Sequence, residues 1–380
     1  MTRSVRVLFV HGNLELGGAE RLNIHLIAAL RTLGVTADLF LIRRAGPLME
    51  EARTLGIEPY FAVDGPGRLR GGLPRTAWLL PRIARRYDVV VGGVELAATN
   101  VAAMAGFLAL RPVAGQVHID LASPARPRGS RLTNTVARAV YPRLAVTIGV
   151  SDAATRSIRR FGARPNRCHT IANGIPLEFI RERAAEPVEL EGERPILAVG
   201  RLIRQKGFDR LIGALPAVRA RGLANQLLIV GDGPERIPLQ RQAEALGIAD
   251  GVIFVGADPN PWRYMTHASM VCFPSRFEGF GLVLAEAMAL GLPVVATDDS
   301  EPVRQILDMG RLGSVVPEAR LAEAIAGVLE SPSAAADRAS LAISAAAAMG
   351  IEATAGQYAK LFRHIATRKR TDKTRPTPAN

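Results

Sequence analysis

Short β-branched apolar runs alternate with longer stretches of helical period from one end of the chain to the other. Val5 to Val10, Ala37 to Ile42, Val89 to Val91, Val113 to Val117 and Val146 to Val150 read as strands. A second series starts after Pro195, with Ile196 to Val199, Leu227 to Val230, Val252 to Val255, Met270 to Phe273 and Val294 to Ala296. Strands that alternate with helices form parallel sheets covered on both faces. Between the two series, residues 181–194 are rich in Glu, contain a proline and lack apolar period, which predicts a linker. The pattern thus predicts an α/β protein of two Rossmann-like, doubly wound domains, 1–180 and 195–350. Residues 351–366 predict an amphipathic helix packing back on the N-terminal domain, and 367–380 a basic disordered tail.

In open parallel sheets, ligands bind beyond the carboxyl ends of the strands. His11 and Gly12 follow the first strand here, His118 the fourth, and Gly200 with Arg201 the first strand of the second series. GDGP (231–234), PSRFEGFG (274–281) and TDDS (297–300) also follow strands directly. Two such edges facing each other across a cleft would converge on one ligand.

Within the second series, FEGFGLVLAEAMALG (277–291) carries Glu278 and Glu286 in an otherwise apolar stretch. From Leu282 to Leu290 the segment is hydrophobic on every side, which predicts burial all round. An ionised carboxylate so placed must find donors, and Glu286 is suited to a pair of vicinal hydroxyls such as a ribose offers. Eight helical residues would separate the two carboxylates by roughly 12 Å, too far for the paired acids of a glycosidase.

GRLIRQKGFDRL (200–211) places Arg201 and Lys206 on a strand-to-helix loop with no acidic neighbour close in sequence. Two such cations suit a departing diphosphate without a metal. No D-x-D and no His/Asp ligand cluster stands in the chain. HGNLELGGAERL (11–22) is a strand, glycine turn and helix start, where Gly17 and Gly18 would let backbone N–H groups approach a phosphate. It is neither a Walker A loop nor G-x-G-x-x-G.

Composition narrows the partners. The net charge of +13 lies almost wholly in residues 1–180, with 24 Arg or Lys against 12 Asp or Glu. That asymmetry predicts an anionic partner for the first half. Two basic amphipathic segments, 68–86 and 126–143, suit an anionic membrane face; solvated helix faces in an arginine-rich chain are the alternative. Nucleic acid fits less well, because the aromatic residues, 5% of the chain, do not interleave with the arginines. The apolar core of the N-terminus, Val7 to Val10, is too short for a secretory signal. The longest apolar run, Leu96 to Leu110, is too short to span a bilayer. Cys168 and Cys272 stand in no metal-ligand spacing and read as buried small hydrophobes in a reducing compartment. The expected location is cytoplasmic, peripheral on the inner face of the membrane.

Together, GGAE, VS at 150–151, NGI at 173–175, GR with KG at 200–207, GDGP, and E-x7-E at 278–286 followed by GLPVVAT resemble family 4 (GT4) of the retaining glycosyltransferases with the GT-B architecture. The resemblance spans about residues 5–330. It implies a sugar-nucleotide donor, a UDP- or GDP-sugar, held mainly by the C-terminal domain, and an acceptor held mainly by the N-terminal one. By motif position, Arg201 and Lys206 would bind diphosphate and Glu286 the ribose. Glu278, with Gly279, Phe280, Gly281 and Leu282, would meet the donor sugar and phosphates. Gly200, Gly233, Gly256 and Ser275 are expected to line the donor, with Gly17 and Gly18 closing the phosphate site from the other domain. His118 would orient a hydroxyl or stabilise developing charge. No cofactor and no metal are implied.

Two departures stand out: Ser300 near the family's glycine position with Gln305 where Glu is common, and Pro176 where NG-x-Asp would place an acid. The expected reaction is transfer to a lipid-linked oligosaccharide or glycolipid in bacterial surface polysaccharide assembly. A sugar-nucleotide epimerase and a non-catalytic nucleotide-binding subunit are the alternatives.

Overall fold

A computed structural model describes residues 4–123, 131–190, 194–223 and 226–373, with side chains to 367. The chain divides into two compact units: residues up to Gly174 together with those from Ile351 onward, and Ile175–Gly350.

The first unit is built on seven parallel strands: β1 (Arg6–His11), β2 (Thr36–Arg44), β3 (Tyr60–Asp64), β4 (Val89–Gly92), β5 (Val113–Val117), β6 (Val146–Gly149) and β7 (Cys168–Thr170). Their order is β3-β2-β1-β4-β5-β6-β7, so the winding reverses between β1 and β4. The second unit repeats the plan with β8 (Ile196–Val199), β9 (Leu227–Val230), β10 (Val252–Gly256), β11 (Met270–Phe273), β12 (Val294–Thr297) and β13 (Ser314–Val316). Its order is β10-β9-β8-β11-β12-β13, reversing between β8 and β11. Each unit is thus a Rossmann-like doubly wound sheet, as the resemblance to the GT-B architecture implies.

The central strands are continuously apolar because helices cover both faces of each sheet. In the second unit, alternation sends Leu197, Leu228, Val230, Val271 and Phe273 into one core. Ile196, Ala198, Leu227, Ile229, Met270 and Cys272 enter the other. The helix from Ile351 belongs to the first unit, where Phe362 meets Phe9 edge-on at 6.2 Å. There the buried Gln116 amide donates to the Tyr358 hydroxyl at 3.1 Å.

Four differences from the sequence reading have physical causes. β3, β7 and β13 escaped the sequence reading: each is a sheet edge, β7 (CHT) and β13 (SVV) are only three residues long, and β3 (YFAVD), although apolar from Phe61 to Val63, fully buries only Ala62. Of the stretch expected as a linker, 181–194, the first four residues close a helix, Leu177–Ala184, that packs within the second unit, where Phe179 meets Trp262 edge-on at 5.7 Å. The division accordingly falls between Gly174 and Ile175; residues 191–193 lie outside the described residues. The last helix continues to Lys373, past the start expected for a tail at 367, and residues 374–380 lie outside the described residues. Cys272 is buried as expected, whereas Cys168 is only half-buried, because it begins the edge strand β7.

Candidate functional site

The reversal point of a doubly wound sheet opens a crevice between two neighbouring strand ends. In the second unit those ends are β8, followed by Gly200, Arg201 and Lys206, and β11, followed by Ser275 to Gly281. The two loops lie some seventy residues apart in sequence and are joined at several points. The Arg276 N–H donates to the Gln205 carbonyl at 2.8 Å, and the Gln205 amide returns a bond to the Phe277 carbonyl at 2.9 Å. The Arg276 guanidinium grips Asp209 through two bonds of 2.7 and 2.6 Å and reaches the Arg204 carbonyl at 2.9 Å. Partial burial pushes the Asp209 carboxyl up, but the Arg276 bonds outweigh it and hold the group below the usual carboxylate range.

At the centre of this seam, Lys206 Nζ donates to Glu278 Oε1 at 2.7 Å. Both side chains are largely enclosed, with 17% and 9% of their surface exposed. The ammonium also lies 5.4 Å from the Phe273 ring centre. Lys206 has no acidic neighbour close in sequence, as read; the fold supplies a distant one, 72 residues on, from the loop after β11. Arg201 is exposed and, among the described residues, has no ion pair.

Glu278 is further fixed through its backbone. Its N–H donates to the buried Ser300 hydroxyl at 3.1 Å, and that hydroxyl lies 3.4 Å from the Glu278 carbonyl. The Ser300 departure thus has a structural use that a glycine could not serve. Gln305, the other half of that departure, is exposed and bonds Glu301 one turn back, at 3.1 Å. Pro176 sets the start of the helix Leu177–Ala184.

The helix after this loop runs only from Leu282 to Ala289, with Gly281 left-handed before it at φ 102°. A straight-helix spacing between Glu278 and Glu286 therefore does not apply. Nor is the helix buried all round: Leu282, Val283, Glu286 and Leu290 form a stripe of intermediate exposure while the rest is enclosed. Glu286 stands on the open stripe, so its charge is not stranded in the core. The first N–H groups of this helix have no acceptor within it, which suits an anion at that end.

The remaining donor candidates are spread along the same sheet edge. In GDGP, Gly233 has φ 158° and passes so close to the Leu202 carbonyl that a Cβ would come within 2.4 Å of its oxygen. Only glycine fits there. Gly256 ends β10 and accepts the Gly231 N–H at 2.7 Å. Ser275 is buried, and its carbonyl accepts the Thr297 hydroxyl at 3.2 Å. Gly279 is enclosed and Phe280 half-buried.

In the first unit, His118 follows β5 and His11 ends β1. His118 Nε2 is enclosed and has no partner among the described residues, although the residue as a whole is partly exposed. Burial pushes its pKa down, against the opposing pull of Glu95 and the Gly93 carbonyl. His11 is almost wholly enclosed; burial first, and His118 second, push its pKa down to about 3. Gly17 precedes the helix Gly18–Thr32. A Cβ on Gly17 would lie 2.0 Å from Glu20 Oε2, so the helix's own carboxylate lies over the turn that the sequence assigns to phosphate.

Both halves of the chain resemble known proteins. Residues 180–345 match the family described as Glycosyl transferases group 1, and 16–179 match Glycosyltransferase Family 4. The chain is 30% identical over 298 residues to an alpha-D-kanosaminyltransferase of Streptomyces kanamyceticus, covering 73% of this chain and 77% of that one. The chain belongs to the family 4 glycosyltransferases. This family member also matches a Campylobacter jejuni enzyme named N-acetylgalactosamine-N,N'-diacetylbacillosaminyl-diphospho-undecaprenol 4-alpha-N-acetylgalactosaminyltransferase, at 32% identity over 159 residues. That match covers 42% of each chain, so this family member spans under half of that relative. Its fold superposes on Anabaena HepE, solved in complex with UDP-glucose, with TM-score 0.80 and 24% identity over 94% of this chain and 99% of the other.

Several residues that shape the site of this family 4 chain escaped the sequence reading. Arg276 and Asp209, 67 residues apart, pair across the two loops, and Gln205 joins the loops through both its side-chain amide and its backbone carbonyl. Arg276 stood within a motif already singled out, and its place directly after a strand was the available signal.

Proposed function

We propose that the chain is a retaining, metal-independent glycosyltransferase that moves a sugar from a UDP- or GDP-sugar to a lipid-linked oligosaccharide or glycolipid in bacterial surface polysaccharide assembly. The observation that carries this reading is the stitched pair of loops at the β8/β11 reversal. There Arg201, Lys206 and the helix end at Gly281 gather positive potential where a diphosphate would leave. On this reading Glu286 takes the ribose hydroxyls, Glu278 orients the donor sugar through an acid held by Lys206 and Ser300, and His118 meets the acceptor. The leaving phosphate receives the proton of the attacking hydroxyl. A donor phosphate at Gly17 and Gly18 would displace the Glu20 carboxylate. Neutralisation of the diphosphate is assigned to the two cations in place of a metal.

Acceptor and membrane are read from the first unit. Trp78 is 59% exposed, Leu108 61%, Leu110 78% and Leu132 74%. They sit on or beside the neighbouring helices Leu73–Ala84, Ala97–Leu108 and Arg131–Val140, among Arg75, Arg82, Arg111, Arg131 and Arg138. The Arg82 guanidinium lies 4.1 Å from the Trp78 ring centre. Apolar tips among arginines suit an anionic interface. No helix among the described residues is long and apolar enough to cross a membrane. The undecaprenol in the Campylobacter relative's name and the UDP-glucose in the Anabaena structure support the same substrate classes.

A thermal-shift panel of UDP, GDP, ADP and their sugars tests the donor reading. One base should stabilise the protein by about 2.7 kcal/mol at 100 times its Kd. No response to any nucleotide would overturn the donor reading. Flotation with anionic vesicles at low salt tests the membrane part, which fails if the protein stays in the lower fraction.

A further inference from the structure

Glu95 lies at the reversal point of the first sheet, just beyond β4, and neither its motif position nor its charge drew notice in the sequence. Its Oε2 accepts the His118 backbone N–H at 3.0 Å, tying the loop after β4 to the loop after β5. The residue is half-buried, and among the described residues it forms no ion pair. Its aim is fixed by strain. The next residue, Leu96, has φ 56° and ψ −89°, a rare γ-turn geometry that a side chain disfavours. The Leu96 N–H donates to the buried Tyr141 hydroxyl at 3.0 Å, which holds the turn. Gly93, two residues earlier, passes directly over the His11 ring: a Cβ there would lie 2.0 Å from Nε2.

The imidazole next to this carboxylate is that of His118, whose ring in turn interacts with that of His11. His118 Nε2 and both ring nitrogens of His11 are enclosed and unpartnered among the described residues. Burial keeps both rings below the ordinary histidine range. A hydroxyl both donates and accepts, so it can satisfy a carboxylate and an imidazole N–H together. A phosphate or carboxylate can only accept, and would face an unpaired negative charge.

We propose that Glu95 selects the acceptor, taking a hydrogen bond from a neutral sugar or polyol hydroxyl and excluding acceptor groups that bear phosphate or carboxylate at that position. The proposal rests on the glycosyltransferase reading and adds to it the chemistry of the acceptor's reacting end; a lipid diphosphate would have to lie elsewhere, toward the arginines.

The test is a saturation-transfer NMR titration of the purified full chain. The probes are octyl glucoside, octyl galactoside, octyl mannoside and myo-inositol, set against glucose 6-phosphate and glucuronate, with UDP and GDP titrated in parallel. The wild type should bind at least one neutral probe and neither anionic one. Glu95→Ala should weaken the neutral probe tenfold or more, the scale of one lost hydrogen bond to a charged group. Glu95→Gln, which keeps an acceptor oxygen, should recover most of that loss and admit glucose 6-phosphate. Nucleotide affinity should be unchanged in both variants, which also reports that they are folded. Neutral-probe affinity in Glu95→Ala within twofold of wild type overturns the proposal. So does equal binding of anionic and neutral probes by the wild type, or no binding of any neutral probe. Absent UDP and GDP binding with neutral probes still bound would sink the donor reading and leave this one standing.

Discussion

Replacing Lys206 by Met removes one charge from the Lys206–Glu278 pair and keeps most of the side-chain volume. At an effective dielectric near 20, opposite charges 2.7 Å apart attract by about 6 kcal/mol before desolvation is counted. Most of that is offset by stripping water from both groups. The measurable quantity is the cost of leaving Glu278, with only 9% of its side chain exposed, without its counter-ion. Losing one partner of a buried pair costs about 3–5 kcal/mol. Because Lys206 retains 17% exposure, Lys206→Met should fall near the lower end, about 3 kcal/mol. The double variant Lys206→Met with Glu278→Gln leaves no buried charge and should regain most of this loss. On the proposed reading, it should not regain nucleotide-diphosphate affinity, which that reading assigns to the Lys206 cation. Urea melts of the three proteins, with amide exchange followed at 200–207 and 274–281, separate the two effects. Single and double variants of equal stability would refute the claim that this pair holds the two loops together.

Other consequences can be checked independently. Glu286→Ala should weaken sugar-nucleotide binding by about 1–3 kcal/mol, read by calorimetry; unchanged affinity in a folded variant removes the ribose role. Tyr141→Phe leaves the Leu96 N–H without its acceptor and should cost about 1–2 kcal/mol in a denaturant melt, with acceptor KM raised and donor KM unchanged. An unchanged melt would mean the strained turn holds without that hydroxyl. His11 has a folded pKa depressed to about 3, so between there and the unfolded value near 6.5 the unfolded chain binds more protons. Its contribution to stability is complete above the unfolded value and is lost as pH falls toward the folded one, by at most about 1.4 kcal/mol per pH unit. Thermal melts of His11→Gln should show a shallower decline across that window, and parallel curves would contradict the assignment.

Much of the architecture was legible because burial on both faces of a parallel sheet demands unbroken apolar runs. Val89 to Val91 and Leu227 to Val230 declare themselves without context. Ser314–Val316 did not, being a three-residue sheet edge that encloses none of its side chains, and Tyr60–Asp64 was passed over although Phe61 to Val63 are apolar. The strand-end rule located Arg201, Lys206, Glu278 and His118 on the correct sheet edges, as a matter of topology alone. What it could not give was pairing in space. Lys206 looked unpaired because its partner lies 72 residues away, and the Asp209–Arg276 grip spans 67. The helix carrying Glu286 was expected to be enclosed all round because hydrophobicity on every side was equated with burial, whereas one stripe of it is half-open. Glu95 gave no signal, because what makes it distinctive is the backbone torsion of the residue after it.

The return of the chain's final helix to the opening sheet bears on how the molecule is made. Phe9 and Gln116 receive their partners Phe362 and Tyr358 only after more than two hundred further residues have been translated. The nascent first unit therefore leaves the ribosome with an open greasy slot, while the second unit, encoded almost wholly between Ile175 and Gly350, waits for nothing beyond Gly350. A product terminated before the last helix would carry that slot permanently and be a target for chaperones, whereas a synthetic peptide of residues 351–366 supplied in trans would have a ready-made berth.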